Sequence, residues 1–167
     1  MKQTLLIFLV LILGFFLITT SSCKDKKDDN PPVDKIYEGD LTYIDYQGLQ
    51  DFYQDGYTAI NGNLKIDNFE SLKDMSLLSN LKRVHGDFRI SVNPELESLE
   101  GLNHLDTVSG SFNIIYCNKL TNLKGVESLK YIGYDFRVMQ NESMVDLDGI
   151  SSLNFVGMTL KVSSNHN

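Results

Sequence analysis

The feature that most constrains the fold of this chain is a 24-residue repeat that runs without a gap from residue 60 to residue 162. A solenoid is the typical result of such a repeat, because one unit cannot bury its apolar face alone whereas stacked units share a continuous core. The apolar columns that share the period are Ile60, Val84, Val108, Ile132 and Val156; Leu64, Phe88, Phe112, Phe136 and Leu160; Ile66, Ile90, Ile114, Val138 and Val162; Leu72, Leu96, Leu120 and Met144; Met75, Leu99, Leu123 and Leu147; Leu78, Leu102, Val126 and Ile150; and Leu81, Leu105, Leu129 and Leu153.

The local structure of one unit is clearest in "VHGDFRISVNPELESLEGLNHL", residues 84–105. Phe88 and Ile90 alternate with polar residues, which predicts a strand with one buried face. After Asn93 a leucine follows at every third position, a spacing that would spread the leucines around an α-helix rather than along one face. Gly101 and its counterparts in later units also disfavour a helix. Each unit is therefore predicted to be one rung, made of a strand and a coil that turns inward every third residue.

The repeat pattern V-x-G-D-F-x-I-x-x-N-P-x-L-x-x-L-x-G-L-x-x-L resembles the receptor L-domain, and bacterial surface lipoproteins carry similar arrays. The resemblance implies an all-β fold for residues 36–167, a single-stranded right-handed β-helix or leucine-rich solenoid with a short N-terminal capping helix. The stretch "EGDLTYIDYQGLQDFYQDGYTAINGNLKI" resembles the L-domain opening. We expect Asp45 to cap the helix, Leu49 and Phe52 to face the first rung, and Gly56 to end the helix.

The N-terminal residues have the layout of a secretory signal. Lys2 precedes an uncharged apolar run, Leu5 to Ile18, and small residues then lead to Cys23. The run is 14 residues long, shorter than the roughly 20 residues that a membrane-spanning helix needs. The sequence predicts a signal peptide at residues 1–22, and an uncleaved signal anchor is the alternative.

The segment "TSSC", residues 20–23, resembles the lipobox of bacterial lipoproteins, although Thr20 stands where the usual lipobox has leucine. The resemblance implies that Cys23 is lipidated and that the protein is secreted and anchored in the bacterial outer membrane. Residues 23–35 form a charged tether that Pro31 and Pro32 stiffen. Its "KDKKDDN" is similar to the stretch that marks surface-exposed lipoproteins in some Gram-negative bacteria, and a plain solvated linker is the alternative.

A second column of interest follows each strand by three residues. It contains Asn93, Cys117, Asn141 and Asn165, with Phe69 in the first rung. Leucine-rich arrays place asparagine or cysteine at this kind of position, where a short side chain binds the backbone of adjacent turns. We therefore interpret Cys117 as a small buried substitute in an asparagine ladder rather than as a nucleophile or a metal ligand.

Other chemistry has little support in the sequence. The net charge of −7 makes nucleic acid an unsuitable partner, and two cysteines provide no disulfide framework. "DLDG", residues 146–149, lacks the rest of a calcium loop. The sequence contains no Ser-His-Asp pattern, phosphate loop or zinc spacing. It therefore predicts a protein that is not an enzyme, with no cofactor and no metal. The "NES" sequon at Asn141 is interpreted as incidental.

The outward positions of the strands suggest a binding face. One column holds Lys65, Arg89, Asn113, Arg137 and Lys161, and it lies beside the apolar residues Ile115, Tyr116 and Met139. This pattern favours a non-catalytic binding module for an unknown protein or carbohydrate ligand. The alternative is a solvated sheet in which Asp87 and Asp135 neutralise their basic neighbours.

The last rung suggests a different kind of contact. In "VGMTLKVSSNHN" we expect Leu160 and Val162 to lie on a layer with one uncovered side. The strand from Thr159 to Ser163 would then present an unpaired edge, which is a template for another chain. The alternative function is therefore a structural component of the envelope that assembles, or associates with itself, through this end.

Overall fold

A computed structural model describes residues 33–42 and 44–165. The helix α1 and the strands of this part have the following bounds: β1 Ile36–Glu38, α1 Tyr46–Gln54, β2 Ala59–Asn61, β3 Leu64–Asp67, β4 Arg83–Val84, β5 Phe88–Ser91, β6 Thr107–Val108, β7 Phe112–Ile115, β8 Tyr131–Ile132, β9 Phe136–Met139, β10 Phe155–Val156 and β11 Leu160–Ser163; a single 3-10 turn spans Ser76–Leu78. The predicted signal peptide (residues 1–22), Cys23 and most of the tether lie outside the described residues.

The strands form two parallel sheets that run side by side. One sheet has the order β1-β2-β4-β6-β8-β10, and the other has the order β3-β5-β7-β9-β11. Neighbouring strands pair in the register of the repeat, so that Phe88 lies opposite Phe112 and Phe112 lies opposite Phe136. The chain visits each sheet once per turn, which makes a β-solenoid of about five turns with about 24 residues per turn. The predicted fold class is confirmed.

The third side of each rung is the predicted coil. In the second rung Leu96, Leu99, Leu102 and Leu105 are all fully buried. The amide of Leu102 donates to the carbonyl of Leu99 at 3.1 Å, and the amide of Leu105 donates to Leu102 at 2.9 Å. Each such bond closes a four-residue turn whose first and last residues are three apart, and a series of these turns points every third side chain inward.

Glycine is needed where this coil passes close to the neighbouring rung. Gly125 has a φ of +113°, a region that glycine enters without the steric cost of a Cβ atom. A Cβ atom at this position would lie 2.2 Å from the carbonyl group of Leu99. The recurring glycine therefore sets how closely consecutive coils approach.

The centre of the core is a column of aromatic rings. Phe88, Phe112 and Phe136 are fully buried, and their ring centroids are 4.9 and 5.5 Å apart. The ring planes differ by only 12° and 13°, so the rings are stacked nearly parallel to one another. Aromatic pairs favour parallel stacking when the rings are offset. The column predicted from the repeat is present.

Helix α1 covers the first rung as the sequence predicts. The Asp45 side chain accepts a hydrogen bond from the amide of Gly48 at 2.8 Å, which caps the helix. Leu49 and Phe52 are buried. Gly56 follows the helix with a φ of +70°, and its amide donates to the carbonyl of Tyr53.

The opposite end of the stack is more open among the described residues. Leu160 and Val162 of β11 are 53% and 44% exposed, as expected from the sequence, and β11 pairs with β9 on one side. No helix in the described part is long and apolar enough to cross a membrane.

Candidate binding face and the polar ladders

The asparagine ladder (Asn93, Cys117, Asn141 and Asn165) ties each rung to the preceding one. The Oδ1 atom of Asn93 accepts the amide of Phe69 at 2.9 Å, and its Nδ2 atom donates to the carbonyl of Ile66 at 2.8 Å. Asn165 makes the equivalent pair of bonds to Asn141 and Val138. Each asparagine therefore satisfies two buried backbone groups that the turn would otherwise leave unpaired.

Asn141 occupies the centre of the ladder and is fully buried. Its Oδ1 atom accepts the amide of Cys117 at 2.8 Å, and its Nδ2 atom donates to the carbonyl of Ile114 at 3.1 Å. Because the side chain is enclosed and bonded at both polar atoms, the "NES" sequon is not accessible in the folded protein. This agrees with its interpretation as incidental.

Cys117 interrupts the ladder with a sulfur atom. The side chain is fully buried, and the thiol donates weakly to the carbonyl of Ile115, with an S···O distance of 3.7 Å. Burial raises the pKa of the Cys117 thiol to about 11, and hydrogen bonding from Asn93 opposes only part of that increase. A nucleophilic cysteine needs the opposite environment, one that stabilises the thiolate. The geometry therefore agrees with a structural role for this residue.

The first prediction concerns this thiol. The pKa of Cys117 is raised in the folded state, so burial of the neutral thiol contributes its full stability below about pH 9.0, which is the ordinary pKa of the thiol. That contribution is lost as the pH rises through about 11. The total loss is roughly 2–3 kcal/mol. Urea unfolding at pH 8 and at pH 11 measures it. Wild type is expected to lose more stability than Cys117→Ala over this interval, and an equal loss in both proteins would contradict the prediction.

A second ladder, not predicted from the sequence, precedes the strands β3, β5, β7, β9 and β11. We call it the outer polar ladder, and its members before these five strands are Asn63, Asp87, Ser111, Asp135 and Thr159. Asp40 extends the ladder by one step, since it precedes Leu41, which forms an isolated bridge with Leu64. The amide of Ser111, for example, donates to Asp87 Oδ1 at 2.7 Å. A backbone hydrogen bond from Asn63 likewise lowers the pKa of Asp40.

The outer polar ladder changes the interpretation of several outward positions. In the sequence, Asn63, Asp87 and Asp135 look like solvated positions of the strand face. In the structure their side chains bind the backbone of the next rung instead. The sequence does contain one indication of this ladder, because a short polar residue recurs directly before each inward-facing Leu or Phe of the strands.

The basic column of the predicted binding face forms in the expected register. Lys65, Arg89, Asn113, Arg137 and Lys161 lie opposite one another on consecutive strands. Adjacent strands in a sheet are about 4.8 Å apart, so these side chains form a continuous line along the solenoid.

Two of these cations are paired within the face. Asp67 accepts hydrogen bonds from Nε and Nη2 of Arg89, and this pairing raises the pKa of the Arg89 guanidinium. Arg137 pairs with Asp135, with a distance of 2.5 Å between Nη2 and Oδ2. The line is therefore less positive than its sequence suggests.

The alternative of internal neutralisation is thus correct for Asp135 and wrong for Asp87. Asp67 pairs with Arg89. Asp87 instead accepts a hydrogen bond from the amide of Ser111, as a member of the outer polar ladder. Among the residues that the structure describes, Lys65 and Lys161 form no salt bridge. The Oδ1 atom of Asn113 is buried and has no hydrogen-bond partner there either.

The apolar side of the face is larger than predicted. Ile115 and Met139 are half-buried and Tyr116 is 48% exposed, and Val92, which was not predicted, is 45% exposed. Val92 and Tyr116 have φ values of +56° and +58°. Positive φ is rare for side chains of this kind, above all for a β-branched one. Asn68, Gln140 and Ser164 occupy the same position in the other rungs and also have positive φ, so the conformation belongs to the repeating turn, and Val92 and Tyr116 are the two exposed apolar residues that adopt it.

Groups of three or more metal-ligating side chains do not occur within residues 33–42 and 44–165. No protein-family model, no curated protein and no solved structure matches this chain.

Proposed function

We propose that this protein is a lipid-anchored lipoprotein of the bacterial cell envelope that acts as a non-catalytic binding module. The observation that carries the proposal is the pair Val92 and Tyr116, exposed apolar side chains held at positive φ beside a line of guanidinium and amide groups. The repeating turn imposes positive φ on this position in every rung, including Asn68, Gln140 and Ser164, so what distinguishes Val92 and Tyr116 is that large apolar side chains occupy it and stand exposed beside the basic column.

The face suits a protein or carbohydrate ligand for two reasons. Its side chains stand on paired strands that are already ordered, so little conformational entropy is lost on binding. It also combines hydrogen-bonding groups, such as Lys161 and Arg137, with the apolar surface of Tyr116 and Met139. A few polar groups that orient a ligand on a mainly apolar surface are typical of specific sites. The proposal requires no catalytic residue and no cofactor.

The experiment that tests the face uses Val92→Asn combined with Tyr116→Asn. Asparagine tolerates positive φ well, so the double variant is expected to remain folded while it loses the exposed apolar surface. We expect at least tenfold weaker binding to the ligand that wild type captures from envelope extract or from a glycan array. Lys124→Glu, on the exposed coil side, is the matched control. Equal affinity of the double variant and wild type would place the site elsewhere.

The anchor is tested separately. Cys23→Ala is expected to move the protein from the membrane fraction to the soluble fraction, because firm anchoring requires more than one acyl chain and the lipidated cysteine would supply them. Labelled palmitate incorporation into wild type is the second measurement. A variant that stays with membranes, together with a wild type that takes up no label, would contradict the lipoprotein assignment.

The second candidate function is envelope assembly through the open solenoid end. It is favoured by the exposure of Leu160 and Val162 on the edge strand β11. Sedimentation over a concentration series distinguishes it from the binding module, since only assembly through this edge predicts a rising molar mass that Val162→Lys abolishes.

A further inference from the structure

A cavity of about 320 Å³ lies between helix α1 and the first rung of the solenoid. We call it the cap cavity. Its lining includes no residue of the basic column and none of β11, so it is separate from the binding face and from the open end. The volume is that of a small-molecule site, and such sites combine a mainly apolar wall with a few polar groups that orient the ligand.

One face of helix α1 and its N-cap form the first wall of the cap cavity. Asp45, Gly48, Phe52 and Asp55 line it, at the spacing of three and four residues that places side chains on one side of a helix. Glycine is unfavourable inside a helix relative to alanine, yet a Cβ atom at Gly48 would lie 2.9 Å from the side chain of Ile44. Glycine therefore lets Ile44 pack directly on the helix and keeps this wall free of a side chain.

Three aromatic rings meet in the cap cavity. Phe52 is buried, and Tyr37 and Tyr57 are half-buried. The ring centroids of Tyr37 and Tyr57 are 5.4 Å apart with planes at 85°, and those of Phe52 and Tyr57 are 5.3 Å apart with planes at 27°. Because the face of an aromatic ring carries partial negative charge, rings grouped in this way attract a cation.

The chain itself places one ammonium group beside the cap cavity. Lys35 Nζ lies 4.4 Å from the centroid of the Tyr57 ring and donates a hydrogen bond to the carbonyl of Asp55 at 2.5 Å. Asp55 is the C-terminal cap of α1, where the last carbonyls of a helix lack partners and attract cations. Lys35 is not part of the lining, so the cavity stays open while this contact is made.

The carboxylates of the cap cavity outnumber the cations beside it. Asp45 and Asp51 each accept one hydrogen bond, from neutral groups of the same helix. In the described part of the chain, the only salt bridge of the three lining carboxylates joins Asp55 to Lys35, at 4.0 Å. The charge at the cavity therefore favours a cationic ligand over an anionic one.

We propose that the cap cavity binds a small organic cation, an ammonium group carried on a short apolar stem. The rings and the carboxylates hold the ammonium group, and the partly buried side chains of Leu41 and Ile44 contact the stem. A quaternary ammonium compound and the lysine side chain of a peptide both have this chemistry, and a titration with one probe of each kind distinguishes them. The proposal is independent of the binding face and of the lipid anchor.

Amide NMR titration of the full-length protein with choline tests the proposal. The matched neutral probe is dimethylbutanol, the analogue of choline in which a carbon atom replaces the ammonium nitrogen. We expect choline to move the amide signals of Gly48 and Tyr57 and to leave those of Arg89 and Lys161 in place. The neutral analogue is expected to bind about tenfold more weakly or less. Acetyl-lysine amide is the third probe, and whichever cation binds more tightly identifies the source of the ammonium group.

Three variants separate the contributions to binding. Asp51→Asn removes one carboxylate and keeps the side-chain size, and it is expected to weaken choline binding roughly threefold. Asp146→Asn, on the exposed coil, is the matched control and is expected to leave the affinity unchanged. Lys35→Gln removes the internal cation from Tyr57 and Asp55, so it is expected to strengthen binding by a similar factor.

Three results would overturn the proposal. Equal affinity for choline and for its neutral analogue would mean that the cavity selects apolar shape and not charge. An equal loss in Asp51→Asn and Asp146→Asn would mean that only the net charge of the protein matters. Unchanged signals of Gly48 and Tyr57 with both cations at about 10 mM, in wild type and in Lys35→Gln, would mean that the cavity is not a cation site.

Discussion

Phe112→Ala is expected to lower the free energy of unfolding by roughly 3–5 kcal/mol. Phe112 is fully buried and its ring packs on both faces, against Phe88 on one side and Phe136 on the other. The substitution removes two stacking contacts and leaves a cavity that the ladders on either side of the strand prevent from collapsing. Since domains of this kind have about 5–15 kcal/mol in total, the variant is expected to be marginally stable. Urea unfolding monitored by circular dichroism measures the loss.

The matched control is Phe112→Leu. The same column ends in Leu64 and Leu160, so the position accepts leucine in other rungs. We expect a loss well below that of Phe112→Ala, because much of the apolar volume is retained. A loss under about 1 kcal/mol for Phe112→Ala would mean that the aromatic column is not the centre of the core.

Asn141→Ala is expected to cost roughly 2–5 kcal/mol. The variant leaves the amide of Cys117 and the carbonyl of Ile114 buried without partners. Each unsatisfied buried polar group costs about 1–3 kcal/mol, and no neighbouring side chain of the ladder reaches both groups. The loss of stability in urea, together with faster exchange of the Cys117 amide, would locate the effect in the ladder.

Two further variants serve as controls for Asn141→Ala. Asn118→Ala removes a carboxamide whose Oδ1 atom is buried without a partner among the described residues, so little stability is expected to be lost. Cys117→Asn places an asparagine where the ladder has sulfur and is expected to be close to neutral. If Asn118→Ala were as damaging as Asn141→Ala, loss of side-chain volume rather than loss of hydrogen bonds would explain both results.

The sequence by itself determined the solenoid, its inward columns and its N-terminal cap. This was possible because equivalent positions in all rungs have the same environment. The same type of residue is therefore needed at each of them, and its recurrence in the sequence reveals which positions face the core. Phe88, Phe112 and Phe136 recur because each must fill the same layer of the core. Asn93 and Asn141 recur because each rung leaves the same backbone groups unpaired at the same bend. The cap at Asp45 and Gly56 follows from local backbone chemistry and needs no distant contact.

Only the tertiary structure decided the character of the surfaces. Whether Arg89 points to Asp67 or to Asp87 depends on side-chain conformation across two rungs, and the period does not specify it. Val92 is an ordinary strand residue in the sequence, and its positive φ arises from the turn that the whole stack imposes. The stacking of Tyr131 on Phe155 is also absent from the earlier rungs. Core positions repeat because they face a common interior, whereas each exposed side chain has its own neighbours, and those neighbours are set only by the folded chain.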